Sequence, residues 1–237
     1  MITVQPIRYT AHPDQWHTLA EALGLVAAFP PAPEWSEFDT DGIFALHHAD
    51  THLAGRTDLH VLVDDLESIE ARLVEAGVPL ERSHLDDVGP LLTLVTGNGG
   101  AVSVSGGARA TDPAPLRVMP LWYTEDLGPA RQALEAIGLR PRIASTAGGW
   151  VDFQADGGGL AALHHGPTPR VELSFEYAGD LDAYAQHLVD AGLQPAIIDE
   201  AHGRTIRLTT PDGDELWING TQDDLYGYTR LDSGLVT

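Results

Sequence analysis

The chain has 237 residues, of which 43% are hydrophobic and 20% charged, as in one or two ordinary globular domains that bury a core. Its formal charge is −22, which argues against nucleic acid as a partner because phosphate binding needs a basic surface. All 13 basic residues are arginine and cysteine is absent, which excludes lysine-based catalysis, disulfides and thiolate metal sites. Any metal would need histidine, carboxylate or amide ligands.

The sequence has no apolar run long enough to span a membrane and does not begin with a basic and then apolar leader. We therefore expect a cytoplasmic protein with no membrane partner, present as a monomer or a homodimer. The acidic surface would keep such a protein soluble and would also attract a cationic ligand.

Two short motifs occur twice along the chain. VQPIRYT, from Val4 to Thr10, recurs as VMPLWYT, from Val118 to Thr124, at an offset of 114 residues. FALHHAD at 44–50 and LAALHHG at 160–166 both place a Leu-His-His triplet where we expect a strand to end. These repeats indicate a duplicated unit.

The duplication predicts two homologous halves, residues 1–107 and 115–222, followed by a C-terminal tail at 223–237. The segment between the halves, GGARATDPAP at 106–115, is rich in Gly, Ala and Pro, which is typical of a linker. We therefore expect two tandem domains.

Each half contains two segments in which apolar residues have helical spacing and the last residue is glycine. The segments are PDQWHTLAEALG, DLESIEARLVEAG, DLGPARQALEAIG and DLDAYAQHLVDAG, at 13–24, 65–77, 126–138 and 180–192. Three of them begin with an N-cap aspartate, namely Asp65, Asp126 and Asp180. All four end in a glycine suited to a left-handed C-terminal residue, namely Gly24, Gly77, Gly138 and Gly192.

An apolar strand precedes each predicted helix, and three shorter strand-like runs follow it. The last two runs of each set are joined by turns centred on Asp41-Gly42, Asn98-Gly99, Asp156-Gly157 and Asp212-Gly213. The chain is thus predicted to contain four β-α-β-β-β modules. One such module cannot close a core alone, so we expect modules to pair within each half and to leave a cup between their sheets.

This pattern resembles the vicinal oxygen chelate (VOC) superfamily, which includes glyoxalase I, the bleomycin-resistance proteins and the extradiol dioxygenases. The resemblance covers residues 1–222 and rests on the four modules, on the segments DDLESIEARLVEAGV and GDLDAYAQHLVDAGL, and on the closing hairpin TPDGDELWING. It implies an α+β fold of two tandem glyoxalase-like domains, with cupped mixed sheets and helices outside. The resemblance does not identify one reaction, because members of this superfamily isomerise, cleave, oxidise or sequester their substrates or ligands on one scaffold.

Metal-using members of the superfamily place one ligand on the first strand and one on the last strand of each module. The resemblance puts the first-strand positions at Gln5, Asp58, Met119 and Glu172. It puts two last-strand positions at Ser103 and Trp217, where metal-using relatives carry glutamate. In modules one and three the last-strand position is ambiguous. It falls on Ala45 or His47 in module one and on Ala162 or His164 in module three.

The histidine pairs are divided by strand alternation, because neighbouring side chains point to opposite faces. We expect His47 and His164 to face the cup and His48 and His165 to face away from it. Tyr9 and Tyr123 lie on the same face as the ligand positions and Trp122 on the other.

Metal binding is an open alternative in the N-terminal half. Gln5, His47, Asp58 and His60 combine imidazole, carboxylate and amide donors that suit Zn²⁺, Mn²⁺, Ni²⁺ or Fe²⁺. In the C-terminal half, the thioether of Met119 and the indole of Trp217 do not hold a hard divalent ion. Because two glutamate positions are lost, we expect no catalytic metal and no other cofactor.

A cup without metal would still bind a small molecule. Aromatic walls with nearby carboxylates suit a planar or cationic ligand. The expected ligand-binding residues are Gln5, Tyr9, His47, Asp58, His60, Ser103, Met119, Tyr123, His164, Glu172 and Trp217.

The sequence therefore predicts a binding protein of the bleomycin-resistance type that sequesters an aromatic or cationic metabolite. One alternative is a divalent-metal lyase, isomerase or dioxygenase in which His60 moves a proton. Another is a protein with one active half and one structural copy.

Overall fold

The computed structural model describes residues 1–30, 32, 34–50, 52–95, 102–200 and 203–232. All four predicted helices form, as α1 (Pro13–Ala22), α2 (Leu66–Glu75), α3 (Leu127–Ile137) and α4 (Leu181–Asp190). Within the described ranges, no helix has the length and apolar character needed to cross a bilayer.

The helix ends follow the predicted capping residues. Three helices begin after an aspartate whose carboxylate accepts hydrogen bonds from first-turn amides, namely Asp65, Asp126 and Asp180. The four glycines that follow the helices all have positive φ, from +69° at Gly77 to +113° at Gly138. The start of α1 differs, because His12 makes no side-chain capping bond and Pro13 opens the helix.

The N-terminal half forms a single sheet. Its strands are β1 (Ile2–Thr10), β2 (Val26–Ala27), β3 (Trp35–Thr40), β4 (Gly42–His48), β5 (Thr57–Val63), β6 (Leu80–Leu85), β7 (Gly89–Leu94) and β8 (Val102–Gly106). They are ordered β2-β3-β4-β1-β5-β8-β7-β6. The first strands of modules one and two pair at the centre, with Gln5 opposite His60. The predicted pairing of these two modules is therefore confirmed.

The C-terminal half repeats this arrangement in two sheets. Its strands are β9 (Leu116–Val118), β10 (Leu121–Thr124), β11 (Arg140–Ser145), β12 (Trp150–Gln154), β13 (Leu160–His165), β14 (Arg170–Glu172), β15 (Ser174–Tyr177), β16 (Ala196–Glu200), β17 (Gly203–Thr209), β18 (Glu215–Gly220) and β19 (Tyr228–Arg230). The sheet orders are β14-β10-β13-β12-β11-β19 and β16-β17-β18-β15-β9. Modules three and four therefore also pair with each other, as predicted.

The first strands of modules three and four are each interrupted, unlike β1 and β5. The breaks fall at Met119-Pro120 and at Leu173. Across the break the Met119 amide still donates to the Ser174 carbonyl at 2.9 Å, and the Ser174 hydroxyl donates to the Met119 carbonyl at 2.5 Å. The two sheets thus continue into each other around the cup.

The helices cover the outer faces of the sheets and bury the apolar core against them. Trp16 of α1, Leu73 of α2, Leu134 of α3 and Leu188 of α4 are all fully buried in this core. Trp122 is buried there too, which confirms its predicted orientation away from the cup.

Direct contacts join the two halves. The Val4 amide donates to the Gly158 carbonyl at 3.0 Å, and the Gly159 amide donates to the Asp41 carboxylate at 2.8 Å. Gly42 has φ +91°, and a Cβ atom there would lie 2.9 Å from the Cα atom of Gly159. Glycine is therefore required where the hairpins of modules one and three cross.

Three of the four predicted hairpin turns lie between the expected strands, whereas the turn at Asn98-Gly99 lies outside the described residues. In the predicted tail, β19 pairs antiparallel with β11. This part of the tail extends the sheet of module three at its edge.

Candidate functional site

The concave face of the C-terminal half encloses a cavity of about 300 Å³. Its lining includes four of the predicted ligand-binding residues, Met119, Tyr123, His164 and Trp217. The lining also includes residues outside the expected ligand-binding set, namely Leu121, Arg142, Trp150, Glu200, Gly203, Arg204, Thr205, Asn219, Gly220, Gln222 and Tyr228. Glu176 lies there as well, whereas Glu172 is not among the lining residues.

One wall of the cavity is built from aromatic rings on neighbouring strands. β10 and β13 run parallel, which sets Tyr123 beside His164 with ring centroids 5.0 Å apart. Trp150 lies opposite His164 in the next strand. The ring of Tyr228, from the tail, packs edge-on against Trp150 at 5.8 Å. The described part of the tail thus contributes to the cavity wall.

The His164 ring is held in one tautomer. Its Nδ1 atom lies 2.7 Å from the carbonyl oxygen of His165. Because a carbonyl only accepts, Nδ1 carries the proton and Nε2 of the neutral ring is left as an acceptor. His165 instead bonds through its ring to the Glu125 carbonyl at 3.1 Å, outside the cavity lining.

The ring of Tyr123 packs against an ion pair between Arg170 and Glu172. Arg170 Nε donates to Glu172 at 2.6 Å, and the Arg170 guanidinium lies 3.9 Å from the centre of the Tyr123 ring. Burial, with the neighbouring Glu172 carboxylate, raises the pKa of Tyr123 to about 12. Tyr123 therefore presents a neutral phenol at physiological pH. Glu172 influences the cavity through its effect on Tyr123.

The floor of the cavity carries a buried charge cluster. Arg142 Nε donates to Asp152 at 3.0 Å, while its two terminal nitrogens donate to the two oxygens of Glu176 at 3.1 and 2.6 Å. Burial opposes the charge of Arg142, but its hydrogen bonds to Glu176 and Asp152 raise its pKa above the usual value. Burial also raises the pKa of Asp152, although Arg142 acts in the opposite direction.

The N-terminal half repeats the aromatic arrangement at the ends of β1 and β4. The rings of Tyr9 and His47 lie 5.2 Å apart, and Trp35 meets His47 edge-on at 6.0 Å. Arg56 Nε donates to Asp58 at 2.6 Å. Burial, with Asp58, raises the pKa of Tyr9 to about 12.

Deeper in the N-terminal cup, His60 is buried between two hydroxyls. Its Nδ1 lies 2.7 Å from Ser103 Oγ and its Nε2 lies 2.9 Å from Ser105 Oγ. Burial lowers the pKa of His60 to about 4, so the ring is neutral at pH 7. Gln5 donates its amide to Glu37 at 3.1 Å.

The alternative metal set Gln5, His47, Asp58 and His60 does not converge on one point. Both nitrogens of His60 bond to serines, His47 Nδ1 bonds to the His48 carbonyl, and Asp58 pairs with Arg56. Across the ranges that the structure describes, no group of three or more His, Asp and Glu residues is arranged to hold a metal ion. The donors as placed do not fit a divalent ion.

Some lining residues could have been found from the sequence. Asn219 is two residues beyond Trp217 in the same strand, so alternation places it on the same face. Arg142 has no such signal, because its role depends on Asp152 and Glu176 from two other strands.

Comparison with protein-family models and with curated proteins gave no match. Solved structures do match along nearly the whole chain. A catechol 2,3-dioxygenase is 17% identical with a TM-score of 0.61, covering 93% of this chain and 87% of that one. The Mn(II)-bound glyoxalase from Novosphingobium aromaticivorans is 14% identical with a TM-score of 0.62, covering 93% and 81%.

The homoprotocatechuate 2,3-dioxygenase from Arthrobacter globiformis is also similar, at 14% identity and a TM-score of 0.62, covering 96% of this chain and 79% of that one. At such identities the likeness establishes the fold and no particular activity. The chain therefore has the α+β fold of tandem VOC domains that its four modules predicted.

Proposed function

We propose that the C-terminal cup binds and sequesters a planar small molecule, either aromatic or cationic. The observation that carries this proposal is the cavity walled by Tyr123, Trp150, His164, Trp217 and Tyr228. Rings that line a cavity, rather than fill it, offer stacking and edge contacts to a flat ligand. At about 300 Å³ the cavity suits a compound of two or three fused rings.

The charges around the cup favour a neutral or cationic ligand over an anionic one. At the floor, Arg142 is paired with both Asp152 and Glu176, so its positive charge is already compensated. An anion placed there would meet Glu176, which also lines the cavity. The overall charge of −22 would repel an anion and attract a cation at longer range.

The residues at the cup's metal-ligand positions supply no adequate donor set. Met119 and Trp217 offer a thioether and an indole, and Glu172 is engaged by Arg170. We therefore propose binding without a metal.

Ligands that share one ring system and differ in charge test the proposal. We suggest 10-methylacridinium, acridine at pH 8 and acridine-9-carboxylate, followed by thermal unfolding and by mass spectrometry of the recovered compound. We expect the melting temperature to rise with the concentration of the cation and the neutral compound, because a ligand that binds only the folded state stabilises it. The anion should stabilise least, and all three should be recovered unchanged.

Matched variants locate the site. His164→Ala removes a ring from the cavity wall, whereas His165→Ala removes the neighbouring ring that lies outside the lining. We expect only His164→Ala to reduce the stabilisation. Stabilisation by none of the three compounds, or equal effects of the two variants, would contradict the proposal, and a changed ligand would indicate an enzyme.

A further inference from the structure

The two halves share a group of five side chains that we call the strand-end cluster. In the C-terminal half it consists of Tyr123, Trp150, His164, Arg170 and Glu172. In the N-terminal half it consists of Tyr9, Trp35, His47, Arg56 and Asp58. Each member occupies the corresponding place in its sheet, since Tyr9 pairs with His47 as Tyr123 pairs with His164, and Trp35 lies opposite His47 as Trp150 lies opposite His164.

Three contacts within the two clusters also match. The Tyr and His ring centroids lie 5.2 Å apart in one half and 5.0 Å apart in the other. The histidine Nδ1 donates to the carbonyl of the next residue at 2.8 and 2.7 Å. The arginine Nε donates to the carboxylate at 2.6 Å in both halves.

The interior of the two cups, by contrast, has diverged. Gln5 corresponds to Met119 and Ser103 corresponds to Trp217 by the offset of 114 residues that relates the halves. His60 lies opposite Gln5, and Ser174 bonds to Met119 across the equivalent strands. At these positions the N-terminal half therefore carries an amide, a hydroxyl and an imidazole, where the C-terminal half carries a thioether, an indole and a serine hydroxyl.

Packing does not explain why the two histidines of the cluster are retained while the interior has changed. His47 and His164 are exposed, so their rings contribute little to the core. Their Nδ1 bonds instead fix exposed rings in one orientation, with Nε2 left as an acceptor. A duplicated scaffold alone would permit these exposed positions to differ as freely as Gln5 and Met119 do.

We infer that the N-terminal half carries a second binding site, in which the strand-end cluster meets one face of a flat heteroaromatic ring and the polar interior meets its edge. This inference rests on the function proposed for the equivalent cluster in the C-terminal cup. The ligand class differs, because the edge of the ring must supply donors and acceptors.

The interior groups have hydrogen-bonding capacity for such an edge. Gln5 gives one amide hydrogen to Glu37, and an amide carries a second hydrogen and an oxygen. Ser103 is only partly buried, and its hydroxyl holds one donor and two acceptor positions, one of which is used by His60. A neutral pteridine or purine edge presents complementary N–H and C=O groups.

The histidine ring nitrogens provide the test, measured by ¹⁵N NMR on the full chain. Lumazine is the first probe, xanthine the second, and 1,3-dimethyllumazine the matched compound whose ring N–H groups are blocked. We expect lumazine to shift the ring signals of His47 and not those of His48, which points to the other face. The dimethyl compound should bind about tenfold more weakly, as for the loss of one hydrogen bond.

Variants separate this inference from the function of the C-terminal cup. The shift that lumazine produces in the ring signals of His60, which bonds to Ser103 in the N-terminal half, should be lost in His47→Ala and kept in His48→Ala and in His164→Ala. If 10-methylacridinium shifts His164 but neither lumazine nor xanthine shifts His47, the second site is refuted and the proposed function stands. If 10-methylacridinium does not shift the ring signals of His164, the proposed function fails. A shift of the His47 ring signals by lumazine then supports the N-terminal site, and the absence of that shift refutes it. Equal binding of lumazine and its dimethyl derivative would also refute the inference.

Discussion

Arg8 in the first strand and Asp214 in the last hairpin, 206 residues later, form a two-bond ion pair, with nitrogen to oxygen distances of 2.9 and 2.7 Å. Asp212 completes this contact by accepting hydrogen bonds from Arg8, Thr10 and the Trp16 indole. The hairpin of module four is thereby held against module one. The two domains therefore contact each other through the first strand and the last hairpin of the chain, in addition to the linker that connects them.

We expect the two aspartates of this contact to differ in importance. The side chain of Asp212 is 6% exposed and that of Asp214 is 49% exposed. Asp212→Ala leaves three buried donors without an acceptor, which should lower the free energy of unfolding by about 3 kcal/mol or more. Asp214→Ala should cost roughly 1 kcal/mol because water replaces the carboxylate. Urea denaturation of both variants measures the difference, and equal losses would contradict this account.

The stability of the N-terminal half should depend on pH through His60. Burial lowers the pKa of His60 from 6.5 to about 4, so between these values the unfolded chain binds a proton that the folded chain does not. The contribution of His60 is therefore complete above the unfolded pKa and decreases as the pH falls toward 4. A fully buried histidine with this shift contributes roughly 3 kcal/mol across that window.

His60→Gln removes this proton linkage and leaves a hydrogen-bonding side chain in place. The free energies of unfolding of the wild type and the variant should therefore converge, or cross, between pH 7 and 4. Val61→Ala, a buried change in the same strand that removes no titratable group, serves as the control and should keep a constant difference. A pH-independent difference between wild type and His60→Gln would show that His60 is not buried in its neutral form.

The strand-end histidines should share one tautomer. The carbonyl oxygens of His48 and His165 accept from Nδ1 of His47 and His164. We expect ¹⁵N NMR of the neutral rings to find the proton on Nδ1 in both residues. A proton on Nε2 of either ring would mean that its carbonyl bond is not formed and that Nε2 is not free to accept from a ligand.

Local sequence patterns were sufficient to predict the modules. The helical periodicity, the aspartate caps and the glycine ends are all short-range features, and the helices begin and end within two residues of the predicted segments. The breaks at Met119-Pro120 and Leu173 were not predicted. Proline alone does not account for them, because Pro6 at the equivalent place in β1 stays within a continuous strand.

The site was predictable only where strand alternation governs it. Alternation placed His164 on the face that lines the cavity, since it depends on neighbours in sequence, and the resemblance placed Trp217 there. It gave no indication of the cluster formed by Arg142, Asp152 and Glu176, which brings together three strands. Glu172 was predicted as a direct contact, yet it lies outside the cavity lining, where it pairs with Arg170 beside Tyr123.

If the aromatic side chains of the C-terminal cup hold a planar ligand, Trp217→Ser should weaken its binding. This change installs the residue that the N-terminal half carries at the equivalent position, Ser103, so a β-strand at this place accommodates it. Calorimetric titration with 10-methylacridinium should give one C-terminal site in the wild type. Because a buried aromatic contact of this kind is worth about 2 kcal/mol, the variant should bind roughly 30-fold more weakly. An unchanged affinity, with the fold intact by circular dichroism, would mean that Trp217 does not contact the ligand.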